Sequence, residues 1–121
     1  MRTGRTTLSK FVIEELGGAQ ELSDLGSLLI DVAAAVKSIS AMLAKGALGG
    51  YLGSLDVENV QGEIQKKLDV LTNKVVIAQC EWGGQLSGMV SEELELPYQI
   101  PTENPRGKFL LLFDPLDGSS N

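Results

Sequence analysis

Residues 108–121 read KFLLLFDPLDGSSN, an apolar run followed at once by a turn sequence with two acids. The run at 108–113 does not alternate between apolar and polar side chains, a pattern that predicts a strand buried on both faces. Such a strand needs neighbours on each side, because an exposed apolar edge invites aggregation. We therefore expect the 121 residues to be the front part of a larger fold.

Three helical patterns precede this strand. The first begins with candidate N-cap threonines and ends at two glycines, and the other two repeat apolar side chains every three or four positions. They span residues 6–16, 21–48 and 64–81. The predicted buried stripe of the second helix is Leu22, Leu25, Leu29, Val32, Val36, Ile39 and Leu43, and that of the third is Leu68, Leu71, Val75 and Ala78.

A second strand is predicted at residues 86–92, and the prolines within residues 97–107 predict a loop between the two strands. Helices followed by strands indicate an α/β chain in the layered α+β arrangement, with the N-terminal helices packed on one or both faces of a sheet. The length fits one domain or part of one, so residues 1–121 are treated as a single unit.

Composition excludes several classes of function. The net charge of -6 disfavours nucleic acids and anionic membranes as partners. No apolar stretch approaches the ~20 residues that span a bilayer, and no signal peptide is evident, so we expect a soluble cytoplasmic chain. The single cysteine, Cys80, cannot form an internal disulfide, which agrees with a reducing compartment.

The chain contains no histidine. This absence excludes Ser-His-Asp and Cys-His catalysis within these residues, as well as every zinc motif that is built on histidine. The remaining polar chemistry has to use carboxylates, hydroxyls, lysines and any bound hard cation.

The two acids behind the apolar run are the strongest candidates for a metal site. Asp114 and Asp117 leave the predicted strand at a turn that Pro115 stiffens by fixing φ. This turn can aim both carboxylates at one point, with the Leu116 carbonyl as a third oxygen. Mg²⁺ binds oxygen ligands of this kind, together with water and phosphate oxygens.

The residues that follow suit a phosphate. Gly118 permits close approach of a ligand, and Ser119, Ser120 and Asn121 favour the start of a helix whose free N–H groups would face the anion. A surface turn with a helix cap is the competing interpretation. The position favours a site, since ligands of open α/β sheets bind beyond the carboxyl ends of strands.

Two other acidic segments are weaker candidates. In an extended segment Glu92 and Glu93 would point to opposite faces, so only one of them could enter a shared site. Glu63 and Asp69 are predicted at the front of a helix, where the helix dipole favours acids. Both segments also fit an ordinary solvated surface.

Taken in order, NVQGEIQKKLDVLTNK at 59–74, VSEELE at 90–95 and KFLLLFDPLDGSSN resemble class I fructose-1,6-bisphosphatase. LSKFVIEEL at 8–16 and AAAVKSIS at 33–40 extend the resemblance over nearly the whole chain. It implies a sugar-phosphatase fold, incomplete here at the C-terminus. It also implies hydrolysis of the 1-phosphate of fructose 1,6-bisphosphate to fructose 6-phosphate, in gluconeogenesis or Calvin-type sugar metabolism.

The resemblance also implies a role for each matching residue. Metal ligands are implied at Glu92, Asp114, the Leu116 carbonyl and Asp117, and substrate contacts at Asp117, Gly118, Ser119 and Ser120. Catalytic roles are implied for Glu63 and Asp69, which would orient the attacking water, and for Glu93 as a supporting acid. The implied cofactor is Mg²⁺, two or more ions per site, with Mn²⁺ as a substitute.

A sugar bisphosphate is the implied small-molecule partner and a homotetramer the implied assembly, with neither nucleic acid nor membrane. The family's chains are much longer, and their later part supplies another metal-binding glutamate and the sugar pocket. Two alternatives therefore stay open. One is a related Mg²⁺-dependent inositol, sugar or nucleotide phosphatase, and the other is a catalytically silent fragment or association-only subunit.

Overall fold

The structure, a computed structural model, describes residues 6–48 and 57–117. In chain order the elements are α1 (Leu8–Leu16), α2 (Gln20–Leu48), α3 (Val57–Cys80), β1 (Leu86–Ser91), β2 (Tyr98–Gln99) and β3 (Phe109–Phe113). The strands form a mixed sheet in the order β2-β1-β3, on which the helices pack. The predicted α+β arrangement is confirmed.

Helix α1 begins and ends where the sequence predicts. The Thr7 hydroxyl caps the helix by accepting a hydrogen bond from the Lys10 N–H at 3.1 Å, and Gly17 is the C-cap. The buried Val12 packs against α2 at Gly26, where an added Cβ would overlap the Val12 side chain. Gly26 therefore permits the close approach of the two helices.

The predicted buried stripes of α2 and α3 are only partly correct. On α2 Ile39 is buried, but the core also takes Leu28 and Ala35, whereas Leu22, Leu29 and Val36 are exposed. Helix α3 begins earlier than predicted, and its buried positions are Thr72, Asn73, Val76 and Cys80, whereas Leu71 is exposed. Both helices carry more apolar residues than one stripe holds, so the contacts of α2 with α3, and of α3 with β1, select the buried side.

Strand β1 is the centre of the sheet. It pairs antiparallel with β2 and parallel with β3. An irregularity between Leu86 and Gly88 shifts the alternation by one residue, so that Leu86 and Met89 both reach the core. Strand β2 lies within the segment predicted as a loop, because the backbone of Tyr98 and Gln99 pairs with β1 despite the flanking prolines.

The prediction that β3 is buried on both faces is wrong for the described chain. Phe109, Leu111 and Phe113 pack against the core, whereas Leu110 and Leu112 are 54% and 65% exposed. The described helices cover only one face of the sheet. Side-chain exposure therefore alternates along β3, although its sequence does not alternate between apolar and polar residues.

The expectation that no segment is long and apolar enough to span a bilayer also needs correction. One helical stretch in the described chain, Leu22–Lys45, has the length and the composition for it, with a mean hydropathy of 1.7. The core helices of folded domains pass the same test. This one contributes Leu28, Ala35 and Ile39 to the core between the helices and the sheet.

Candidate active site

Two parallel strands end side by side at one edge of the sheet. The last pair in the register of β1 and β3 is Ser91 with Phe113. Beyond it the Glu92 N–H donates to the Phe113 carbonyl at 3.1 Å. Glu92 and Asp114, the first residues after the two strands, therefore leave the sheet next to each other at its carboxyl edge.

The chain turns immediately after β1, in a segment that we call the β1 turn (residues 91–94). The Leu94 N–H donates to the Ser91 carbonyl at 3.1 Å, and the Glu93 N–H donates to the Ser91 hydroxyl at 3.2 Å. Because the segment is not extended, the prediction that Glu92 and Glu93 point to opposite faces is wrong. Carboxylate oxygens of Glu92, Glu93 and Asp114 lie within 4.8 Å of one another.

We call these three carboxylates the acidic cluster. Desolvation raises the pKa of Glu93, and so do the charge of Asp69, a hydrogen bond with Glu92, and the charges of Glu92 and Asp114. Close negative charges with oxygen-only donors suit a hard divalent cation such as Mg²⁺. The residues present therefore fit the metal that the sequence predicts.

The two acids predicted at the front of a helix lie well inside α3, so the helix dipole does not explain them. Asp69 is close enough to the acidic cluster for its charge to raise the pKa of Glu93, and its carboxylate accepts from Gln65 Nε2 at 3.4 Å. Glu63 is exposed and lies six residues earlier, about 9 Å along the helix axis. It is not one of the clustered carboxylates among the described residues.

The model of a family described as "Fructose-1-6-bisphosphatase, N-terminal domain" matches residues 6–121. The chain belongs to the fructose-1,6-bisphosphatase family. The crystal structure of Leishmania major fructose-1,6-bisphosphatase in holo form is similar, with a TM-score of 0.73 and 30% sequence identity. That match covers 98% of this chain and 34% of the Leishmania chain, so this chain spans about a third of that bisphosphatase.

Membership of the bisphosphatase family supports phosphatase chemistry in general, and the family's use of divalent metals agrees with the acidic cluster. The remaining predicted ligands lie in what we call the β3 turn (residues 114–117). Its Leu116 N–H donates to Asp114 Oδ1 at 3.4 Å. Asp117 is exposed and, within the described chain, is not part of the acidic cluster.

The metal-ligand roles of Leu116 and Asp117 therefore stay predictions. Gly118, Ser119 and Ser120, predicted to bind phosphate, lie outside the described residues, as does the helix start predicted at 119–121.

Sequence reasoning missed the polar residues behind the β1 turn. Ser91 and Asn73 are 2% and 7% exposed, and the Ser91 hydroxyl donates to Asn73 Oδ1 at 2.5 Å. The sequence did contain a signal. Thr72 and Asn73 interrupt the apolar pattern of α3, and Ser91 ends an apolar strand just before two acids.

Proposed function

We propose that the protein is a fructose-1,6-bisphosphatase, which hydrolyses the 1-phosphate of fructose 1,6-bisphosphate to fructose 6-phosphate and phosphate. The observation that carries the proposal is the family match over residues 6–121. The acidic cluster at the carboxyl edge of the parallel strand pair gives that match a chemical basis.

Glu92, Asp114, the Leu116 carbonyl and Asp117 would hold the cation, two or more Mg²⁺ ions with Mn²⁺ as a substitute. A bound divalent cation supplies positive charge against the phosphoryl oxygens. The clustering of Glu92 and Asp114 with Glu93 supports this donor set.

The other residues would act on water and phosphate. Glu63 and Asp69 orient the attacking water, and Glu93 acts as a supporting acid. Asp117, Gly118, Ser119 and Ser120 bind the 1-phosphate. The bond from phosphorus to water oxygen forms as the bond to the sugar oxygen breaks, and the sugar oxygen leaves with a proton.

The wider setting that we propose follows the family. The substrate is a small sugar bisphosphate in gluconeogenesis or Calvin-type metabolism, the assembly is a homotetramer, and the compartment is the cytoplasm. Neither nucleic acid nor membrane is a partner in this proposal, a choice that the net charge of -6 supports.

A second candidate is that the chain is a catalytically silent fragment or a subunit that only associates with other chains. Two observations favour it. The chain spans 34% of the Leishmania bisphosphatase, and Leu110 and Leu112 leave one face of the sheet apolar and exposed.

The test compares the protein expressed from its natural reading frame with residues 1–121 alone. Phosphate release is measured with and without Mg²⁺ from fructose 1,6-bisphosphate, an inositol monophosphate and a nucleoside monophosphate. We expect Mg²⁺-dependent release from fructose 1,6-bisphosphate, its loss in Asp117→Ala, and no turnover by residues 1–121 alone. Preference for another phosphate ester, or full turnover by Asp117→Ala, would overturn the assignment.

A further inference from the structure

Three carboxylates whose oxygens lie within 4.8 Å repel one another, so other residues have to hold the acidic cluster in place. We call these residues the support. No buried side-chain nitrogen or oxygen in the described residues lacks a hydrogen-bond partner. The polar groups buried beside the cluster are therefore satisfied, and their partners identify the support.

Asn73 is the first part of this support. It lies on α3 at 7% exposure, although asparagine is a poor helix former and costly to bury without a partner. Its side-chain oxygen accepts from the Ser91 hydroxyl at 2.5 Å, a contact between residues 18 positions apart. The bond joins α3 to the end of β1.

Ser91 is the second part. A hydroxyl has one donor and two acceptor lone pairs, and this one uses both functions. It donates to Asn73 and accepts from the Glu93 N–H at 3.2 Å, while the Ser91 carbonyl accepts from Leu94. The β1 turn is thus fixed by two oxygens of one residue that is 2% exposed.

The same helix carries Asp69 one turn before Asn73, at i and i+4 on one side of α3. Asn73 itself is bonded to Ser91, which also accepts from the Glu93 N–H, so this side of α3 faces the β1 turn. The bond from Asn73 to Ser91 therefore sets the position of α3 relative to the β1 turn, and with it the distance between Asp69 and the cluster.

We propose that Asn73 and Ser91 are positioning residues, whose buried hydrogen bond holds the β1 turn so that Glu92 binds a divalent cation with Glu93 beside it. The inference rests on the proposed function, since the cation is the one that the phosphatase would use. Residues that orient metal ligands without touching the metal typically change affinity or activity by about 10- to 100-fold when they are replaced.

Thr72 offers a matched control. It is fully buried next to Asn73, but its hydroxyl donates within α3, to the backbone carbonyls of Leu68 at 2.7 Å and Asp69 at 3.2 Å. Thr72→Val removes a buried hydrogen bond without touching the β1 turn. A role that is only structural would give similar results for Thr72→Val and Asn73→Ala.

The experiment measures Mg²⁺ affinity by isothermal titration calorimetry, and phosphate release against Mg²⁺ concentration, on the protein expressed from its natural reading frame. We expect Ser91→Ala and Asn73→Ala to weaken Mg²⁺ binding by about 10- to 100-fold. The KM for the sugar bisphosphate at saturating Mg²⁺ should change by less than about twofold. Ser91→Thr, which keeps the hydroxyl, should recover most of the affinity, and Thr72→Val should retain it.

A double variant, Asn73→Leu with Ser91→Ala, covers the case in which a single variant fails to fold. It removes both partners of the buried side-chain bond, so neither side chain is left with an unsatisfied polar group, and the Glu93 N–H loses its acceptor just as in Ser91→Ala. We expect it to fold, as judged by circular dichroism, and to bind Mg²⁺ as weakly as the single variants.

Every outcome of these measurements either supports or overturns the inference. Wild-type Mg²⁺ affinity in Ser91→Ala, Asn73→Ala and the double variant overturns the inference even if their melting temperatures fall, and an equal loss in Thr72→Val overturns it too. If the wild type binds Mg²⁺ without hydrolysing fructose 1,6-bisphosphate and the variants lose that binding, the positioning role stands and the proposed function fails. A wild type that binds no Mg²⁺ overturns both the positioning role and the proposed function.

Discussion

The β1 turn and the β3 turn each carry acids to the same edge of the sheet, but they are held in different ways. The β1 turn is fixed by the Ser91 hydroxyl and carbonyl, and behind them by Asn73 on α3. The described bond within the β3 turn is from the Leu116 N–H to the side chain of Asp114, at the long distance of 3.4 Å.

The difference divides the candidate site into two halves. The backbone of the β1 turn is held by the buried Ser91 and, through it, by Asn73 of α3, so the positions from which its acids project are set before any ligand binds. In the β3 turn the acid itself is the hydrogen-bond acceptor, and the other constraint comes from the fixed φ of Pro115. We infer that the β3 turn is the half that ligands can more easily adjust.

The largest effect is expected from Asp114→Ala. Asp114 belongs to the acidic cluster and also accepts the bond within the β3 turn, so the change removes a metal donor and loosens the turn. We expect more than about 100-fold loss of Mg²⁺-dependent phosphate release, beyond the range for residues that only orient ligands. Glu95→Ala is the control, since Glu95 is exposed and lies outside the cluster. Equal losses in both variants would contradict a specific role for Asp114.

Much of this fold could be predicted from local patterns. The N-cap at Thr7, the glycine at the end of α1 and the apolar period of α2 gave elements close to those observed. The elements that depend on partners could not be predicted. Strand β2 has two residues and is defined only by its pairing with β1.

The burial of β3 shows the same limit. Apolar residues at Leu110 and Leu112 suggested two covered faces, but a sequence does not state what covers a face. The position of a site residue could be predicted where the residue directly follows the end of a strand, as Asp114 does. The convergence of Glu92 with Glu93 could not be predicted, because it depends on a turn that Ser91 stabilises with its own hydroxyl and carbonyl.

An intermediate effect is expected from Pro115→Ala. The substitution frees φ in the β3 turn, and such changes typically cost about 0.4–1 kcal/mol, which corresponds to about a two- to fivefold lower population of the bound geometry. Mg²⁺ affinity should fall by that factor. Pro97→Ala, at an exposed proline beside β2, should leave it unchanged. If Pro115→Ala also binds like the wild type, the β3 turn is held by something other than its proline.

The smallest effect, and the sharpest test of the comparison, is that of Glu93→Gln on stability without cation. Burial and the neighbouring acids raise the pKa of Glu93, so its charged form is disfavoured in the folded state. The stability that the carboxyl contributes is present below its ordinary pKa of 4.5 and is lost as the pH rises through the raised value.

In a chelator at pH 7, Glu93→Gln should therefore melt higher than the wild type, by no more than about 2 °C because solvent screens this exposed carboxyl. The gap should close toward pH 4, where the wild-type carboxyl takes up its proton. Added Mg²⁺ should stabilise the wild type more than the variant, because only the wild type keeps all three carboxylates.

Asp117→Asn is the counterpart on the β3 turn, and in the chelator it should leave the melting temperature unchanged, since Asp117 is exposed and outside the cluster. If Asp117→Asn raises the melting temperature as much as Glu93→Gln does, charge repulsion acts equally in the two turns, and the inference that they are held in different ways is wrong.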